Sequence, residues 1–261
     1  MSASADPPLV YLILGAAGSG RREVLADLID GGLPDGESAA VLLSAAELPD
    51  EFDARLPGLT RWTWHDTHLA ASLPAGAARV FFVTDGRASP VDQIEAFKPW
   101  LAAQGGVLAR VLCVVHCRLA EAHPPLLAWF ETCVHFADIV LLNRREGVAN
   151  KWLSEFRAHF AKQFYPCLFE PVKAGRVANP ALVLEPQARR LSHLFDEGEE
   201  WVFTDGDGGE IDEQEEAEDE DEVTAAPAED PYLVRDAAGR RVKRVPDMAK
   251  YLAAATPPVE G

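Results

Sequence analysis

The chain has 261 residues, 48% of them hydrophobic, and a formal net charge of −18 at pH 7. This length suffices for one well-filled α/β domain with an appendage. The negative charge is local, because residues 196–230 hold 18 of the 42 acidic side chains and no Lys or Arg, which leaves 24 acidic and 24 basic residues elsewhere. The overall acidity therefore excludes nothing about the ligands of the rest of the protein.

Targeting and redox signals point to the cytoplasm. The N-terminal stretch lacks the basic region of a secretion signal, and no apolar run approaches the 18 residues of a membrane span. The four cysteines are too few for a disulfide framework in a chain of this size. We expect a cytoplasmic protein with reduced thiols and no membrane partner.

Short apolar runs alternate with helical patterns along the first 195 residues. This alternation predicts an α/β fold with a doubly wound, mostly parallel sheet. The predicted strands are 9–14, 40–43, 60–64, 79–84, 109–116, 139–143 and 167–171, and the predicted helices are 21–30, 91–104, 125–136, 147–164 and 187–195.

The first strand is followed by a glycine-rich loop. Gly15, Gly18 and Gly20 stand within six residues, and a helical pattern begins directly after them. A strand, a glycine loop and a helix N-terminus together bind phosphate through backbone N–H groups and the helix dipole. Compared with the template G-x-x-x-x-G-K-[ST], the lysine position holds Arg21 and the Mg²⁺-ligating hydroxyl position holds Arg22.

Two interpretations of this loop remain open. In one, Ser19, Arg21 and Arg22 act with the glycines to bind the phosphates of a nucleotide or another polyanion. In the other, the turn kept its shape after losing its ligand. A guanidinium group does not reproduce the pose of a lysine ammonium, and Arg22 cannot ligate a cation. GTP or GDP is therefore a candidate ligand, whereas Mg²⁺ has no evident ligand in the loop.

A second polar group follows the apolar run 79–84. Asp85 and Gly86 stand where a P-loop protein carries the carboxylate that holds Mg²⁺ through water. Asp85 is thus the one candidate catalytic residue. The alternative is that Asp85 and Gly86 only form the turn after a buried strand.

A third polar group ends the predicted strand 139–143. An Asn-Lys-x-Asp sequence at such a place recognises guanine, since the Asn reaches N7, the Lys stem covers the base, and the Asp accepts from N1 and N2. Here Asn143 is kept, Arg144 offers an aliphatic stem, and Glu146 supplies a carboxylate one methylene further out. A guanine site and a simple capping asparagine both remain open.

Cysteine and histidine also occur close together at the end of one predicted strand. Strand alternation would place Cys113 and Cys117 on one side and His116 on the other, so the three could not meet at one ion. Buried apolar cysteines are the favoured interpretation, and no metal site is predicted.

The C-terminal third differs in composition from the rest. We predict an N-terminal tail (1–8), a P-loop NTPase-like domain (9–195), an acidic disordered linker (196–229) and a small basic cassette (230–261). The cassette combines a strand, a turn, a basic strand and a short helix. Its single basic run beside 18 acidic residues does not favour nucleic-acid binding. A protein partner on the acidic linker is a further expectation.

In order and spacing, four segments resemble the CobW-type GTPases, a group of P-loop metallochaperones. The chain has Gly15–Arg22 as the phosphate loop, 84–90 like the family's Glu-Thr-Ser-Gly-Leu-Ala-Asp-Pro, 114–117 like its Val-Val-Asp-Ala, and 137–146 like its Ala-Asp-x-Ile-x-Leu-Asn-Lys-x-Asp. The resemblance covers about residues 9 to 180. It implies a doubly wound P-loop fold that binds guanine nucleotide.

The departures from the family remove groups needed for catalysis. Val83 replaces its Glu, His116 replaces its strand Asp, and the region 62–65 lacks its Cys-x-Cys-Cys metal motif. We therefore expect a guanine-nucleotide-binding protein with slow or no GTP hydrolysis, acting as a nucleotide-dependent switch or chaperone. Whether it is an enzyme stays open. The alternative is a non-catalytic adaptor that works through the acidic linker and the basic cassette.

Overall fold

The computed structural model describes residues 6–65, 68–196, 201–204, 224–227 and 229–252. Contacts between residues divide the chain into two compact units, of which the first comprises residues up to 191 together with 245 onwards, and the second comprises 192–244. None of the helices in the described ranges combines the length and the apolar composition that a bilayer span requires.

The first unit is built on one sheet, to which the described residues contribute nine strands. The strands are Leu9–Leu14 (β1), Ala39–Ser44 (β2), Thr60–His65 (β3), His68–Ala70 (β4), Arg79–Val83 (β5), Val107–His116 (β6), Ile139–Asn143 (β7), Leu168–Lys173 (β8) and Arg176–Val177 (β9). Their order is β4-β3-β2-β5-β1-β6-β7-β8-β9. Seven strands run parallel, and the short strands β4 and β9 close the two edges in antiparallel fashion.

Helices cover both faces of this sheet. They are Arg21–Gly32 (α1), Pro90–Gln104 (α2), Cys117–Ala122 (α3), Leu127–His135 (α4), Asn150–Ala161 (α5) and Pro180–Leu184 (α6). Phe81 joins the core cluster formed with α1 and α6, whereas the ring of its neighbour Phe82 packs on Phe97 of α2 at 5.1 Å. Successive residues of a strand point to opposite faces, so α1 and α2 lie on opposite sides of the sheet.

The parallel strands are buried on both faces, which explains why they appear in the sequence as continuous apolar runs rather than alternating ones. Strand β1 is central, with β5 on one side and β6 on the other. The carboxyl ends of β1, β5, β6 and β7 therefore lie side by side. The predicted doubly wound, mostly parallel α/β fold is confirmed, and its loops at this edge carry the candidate site.

The predicted helix 187–195 is wrong. Residues 185–194 are irregular, because buried side chains of the sheet bind the backbone there. The guanidinium group of Arg110 donates to the carbonyl of Gln187 at 3.0 Å, and Asp138 accepts from the amide of Arg189. These bonds fix the segment in place of helical hydrogen bonds. The helix α6 and the edge strands β4 and β9 were not predicted.

The second unit contains a short ladder and a polar turn. Residues Trp201–Thr204 (β10) pair antiparallel with Thr224–Pro227 (β11). Arg235 and Arg241 form an isolated antiparallel bridge around a turn. Of the predicted acidic linker, residues 197–200, 205–223 and 228 lie outside the described residues, as do 253–261 of the predicted cassette. The predicted domain boundaries stay a prediction.

Candidate functional site

The loop between β1 and α1 has the backbone that the three glycines predict. The φ angles of Gly15, Gly18 and Gly20 are 142°, 77° and 81°, a range that residues with a side chain rarely adopt. A Cβ on Gly15 would stand 2.5 Å from the carbonyl oxygen of Val114, and one on Gly20 would stand 2.5 Å from Nδ2 of Asn143. Both the φ angles and the close neighbours require glycine in this loop.

The loop ends at an uncapped helix N-terminus. Gly20 is the N-cap of α1, and no side chain caps the helix there. The first amides of a helix have no partner within it, and the helix dipole makes this end positive. Oγ of Ser19 is buried and has no hydrogen-bond partner among the described residues. The backbone therefore offers the start of an anion site.

The guanidinium groups of Arg21 and Arg22 are buried and bind carboxylates of the chain itself. Arg21 donates to the carbonyl of Thr84 and to the carboxylate of Glu47. Arg22 donates to Glu47 at 3.0 Å and to Asp53 at 2.8 Å. In this structure the two arginines thus face internal anions, and their contact with a ligand phosphate stays a proposal.

Glu47 lies at the centre of this network. Its carboxylate accepts from Arg21, from Arg22 and from the backbone amide of Gly86 at 3.2 Å, and the side chain is 11% exposed. Burial alone would raise the pKa of Glu47, but the charge of Arg21 and the hydrogen bonds outweigh burial and hold this pKa below its ordinary value. Glu47 is therefore a stable anion at neutral pH.

The network continues outwards from Asp53. Its second carboxylate oxygen accepts from Arg61 at 3.0 Å, while Asp50 caps the short 3₁₀ turn Glu51–Arg55 that carries Asp53. Three guanidinium groups thus meet two carboxylates. Neither Glu47 nor Asp53 stands in a sequence motif that predicts a site residue. The sequence indicates such acidic partners only through Arg21 and Arg22 at the start of a helix, because two guanidinium groups need counter-charges once they are buried.

Asn143 and Arg144 lie beside the loop, because β6 alone separates β7 from β1 in the sheet. Nδ2 of Asn143 donates to the carbonyl of Ser19 at 2.8 Å. Arg144 adopts a φ of 51° and forms an ion pair with Glu23 at 3.1 Å. Glu146 is exposed. Asn143 therefore fixes the glycine-rich loop, and the proposed base-recognition role of the three residues is untested.

Asp85 occupies the turn after β5. Its carboxylate accepts from the amide of Arg87 at 2.9 Å, and its backbone amide and carbonyl are both bound by the side-chain amide of Gln93. This local hydrogen bonding is typical of a turn-forming aspartate. The catalytic, metal-associated role of Asp85 remains an untested alternative.

Cys117 does not lie on the strand with Cys113, because β6 ends at His116 and Cys117 begins α3. The prediction that both cysteines project from one strand face is thus corrected. Nδ1 of His116 accepts from the amide of Leu119 at 3.2 Å and caps that helix. Burial raises the pKa of the Cys117 thiol to about 12. In the part of the chain that the structure describes, no group of three or more His, Cys, Asp or Glu residues could hold a metal ion.

The space left above the loop is small. The hollow has a volume of about 80 Å³ and is lined by the loop, by Glu47 and Arg144, and by Asp50 and Phe52. Pockets for small molecules measure roughly 300–1,000 Å³. In this arrangement the hollow does not admit a nucleotide, because side chains of the chain occupy the space at the start of α1.

Known proteins resemble this chain in the course of the backbone only. No protein-family model matches the sequence, and a comparison with curated protein sequences gives no match. Among solved structures, the Zn(II)-bound GTPase YjiA from E. coli is 16% identical, with a TM-score of 0.43 over 77% of this chain and 72% of that one. The cell division protein FtsY from Thermotoga maritima is 16% identical, with a TM-score of 0.41 over 68% and 67%.

A third structure, a LAO/AO transport system kinase, is 14% identical, with a TM-score of 0.37 over 69% of this chain and 55% of that one. At such identities and TM-scores, these three likenesses carry no argument about the activity of this chain.

Proposed function

We propose that this protein binds guanine nucleotide at the loop Gly15–Arg22, with slow or no hydrolysis, and acts as a nucleotide-dependent switch or chaperone. One observation carries the proposal: two guanidinium groups and a backbone amide converge on a single carboxylate beside the N-terminus of α1. Such a set of charged and backbone donors binds oxyanions strongly. A terminal phosphate offers the same acceptors as that carboxylate.

Selection of the base falls to the residues that follow β7. Asn143 already contacts the loop, and Arg144 lies against Gly20, whose Cβ position is 2.9 Å from Nη2 of Arg144. The stem of Arg144 would cover a base, and Glu146 would accept from its N1 and N2 groups. These roles rest on the resemblance to Asn-Lys-x-Asp and on the position of the two strand-end residues.

The residues present do not fit a magnesium ion in the loop. Arg22 stands where a hydroxyl ligand is needed, and the cluster around Glu47 contains more guanidinium groups than carboxylates. Cations would be repelled there. Phosphoryl transfer depends on a metal and on positioned charge, so we propose that Arg21 and Arg22 neutralise the phosphates and that turnover is slow or absent.

Isothermal titration calorimetry of the full chain with GTP, GDP and ATP tests this proposal, each with and without Mg²⁺. We expect guanine nucleotides to bind without Mg²⁺ and more tightly than ATP. Mass analysis of small molecules released from the denatured protein gives an independent check. The absence of heat at millimolar nucleotide, or binding that requires Mg²⁺, contradicts the proposal.

The volume of the hollow favours a second candidate function. A hollow of only about 80 Å³, beside arginines that are already paired with carboxylates, is what a P-loop fold that has lost its ligand would keep. The protein would then be an adaptor whose partners bind the acidic segment and the basic cassette. Partner capture would be lost on deletion of residues 196–261 and unchanged by Arg22→Ala, and the reverse result rejects this alternative.

A further inference from the structure

We propose that Glu47 occupies the place of a ligand phosphate group and must leave before a polyphosphate binds. This inference rests on the proposed function, because it concerns how the same loop is regulated. The carboxylate of Glu47 uses three donors at once: Arg21, Arg22 and the amide of Gly86. Each of these donors is one that a phosphate at the start of α1 would need.

The charges make the two anions exclusive. Arg21, Arg22 and Arg61 bring three positive charges, and Glu47 and Asp53 bring two negative ones. Adding a polyphosphate while Glu47 stays in place would bring several negative charges against the carboxylate of a side chain that is only 11% exposed. Like charges that share the same hydrogen-bond donors lie close together and repel strongly outside bulk water. Replacing Glu47 by the polyphosphate instead keeps every guanidinium group paired.

Glu47 can leave without opening the core. Ala45, Ala46 and the residues 48–50 are exposed, and the side chain of Leu48 is 55% exposed. The segment 45–49 is therefore held mainly by polar bonds, among them those from Arg61 to the carbonyls of Ser44 and Glu47. Moving it exchanges hydrogen bonds and costs little apolar burial.

Asp53 remains on Arg22 when Glu47 moves, because the 3₁₀ turn Glu51–Arg55, with its cap Asp50, and a bond to Arg61 hold it independently of Glu47. The segment 45–49 is thus the moving part, and it reports the ligand state at the protein surface. This gives the proposed switch a physical element: with Glu47 inserted the loop is closed, and with polyphosphate bound the segment is released.

The test compares wild type, Glu47→Ala and Glu47→Gln, with Glu51→Ala as the matched control from the neighbouring exposed turn. The probes are inorganic tripolyphosphate and GDP without Mg²⁺, measured by calorimetry. We expect each Glu47 variant to bind both probes at least about tenfold more tightly than wild type, which corresponds to about 1.4 kcal/mol. Glu51→Ala should bind as wild type does.

Thermal unfolding measures whether the Glu47 variants lose stability. Without an anion, Glu47→Ala should melt below wild type, because Arg21 and Arg22 lose their counter-charge, and tripolyphosphate should raise its Tm by more than that of wild type. If wild type binds and the Glu47 variants bind equally or less tightly, this inference is wrong while the proposed function stands. If only the Glu47 variants bind, the inference holds and the native chain is closed to nucleotide. If none binds, both fail.

Discussion

The pairing of Arg21 with Glu47 should couple strongly in a double-mutant cycle. Removing one partner of a buried ion pair costs about 3–5 kcal/mol, because the other charge stays buried without compensation. After Arg21→Met, Glu47 keeps Arg22 and the amide of Gly86, so we expect a smaller cost than this range, about 2–3 kcal/mol of unfolding free energy. Glu47→Gln should cost a similar amount, for the converse reason.

The double variant Arg21→Met/Glu47→Gln should lose less than the sum of the single variants, with a coupling energy of about 2 kcal/mol. Urea unfolding followed by tryptophan fluorescence and by circular dichroism measures these free energies, compared at constant m-value. The pair Arg55 and Asp30 provides the matched control, since its atoms approach to 2.6 Å but its side chains are 51% and 58% exposed. Its cycle should give below about 1 kcal/mol. Equal coupling in the two cycles would refute the argument from burial.

Three further predictions concern the glycine-rich loop, the stability at acid pH and the thiol of Cys117. Gly20→Ala should destabilise the protein by more than Gly147→Ala. Both residues have φ near 80°, but of the two only Gly20 has a neighbour, Asn143, within 4 Å of the added Cβ. Urea unfolding should show free energies of unfolding that differ by about 1 kcal/mol or more between the two variants. The pKa of Glu47 is lowered in the folded state, so its contribution to stability is present above its ordinary pKa and disappears as pH falls through the folded value. The loss of stability below about pH 4.5 should therefore be smaller in Glu47→Gln than in wild type, as acid titration of unfolding will show. Cys117 is buried with its pKa raised to about 12, so an aromatic disulfide reagent at pH 8 should modify it only after unfolding, and rapid labelling of the native protein would contradict its burial.

Much of the fold follows from local sequence patterns. The bounds of β1 and β7 are those predicted, and α1 and α2 begin within one residue of their predicted starts. Continuous apolar runs bounded by glycine or polar residues determine these elements, because parallel strands buried on both faces need apolar side chains at every position. The helix predicted at 187–195 failed because Arg110 and Asp138, distant in sequence, bind its backbone.

The candidate site likewise has some features that the sequence predicts and others that only the tertiary structure determines. The glycines of the loop and the place of Asn143 at the end of a strand could be predicted from the sequence, since positive φ values and the end of an apolar run are local properties. The partners of Arg21 and Arg22 could not, because Glu47 and Asp53 follow β2, and only the placing of that strand two positions from β1 brings them over the loop. The sequence alone determines which charged residues this site contains. The tertiary structure determines that they pair with one another, because a buried guanidinium group is stable only when an anion lies close to it.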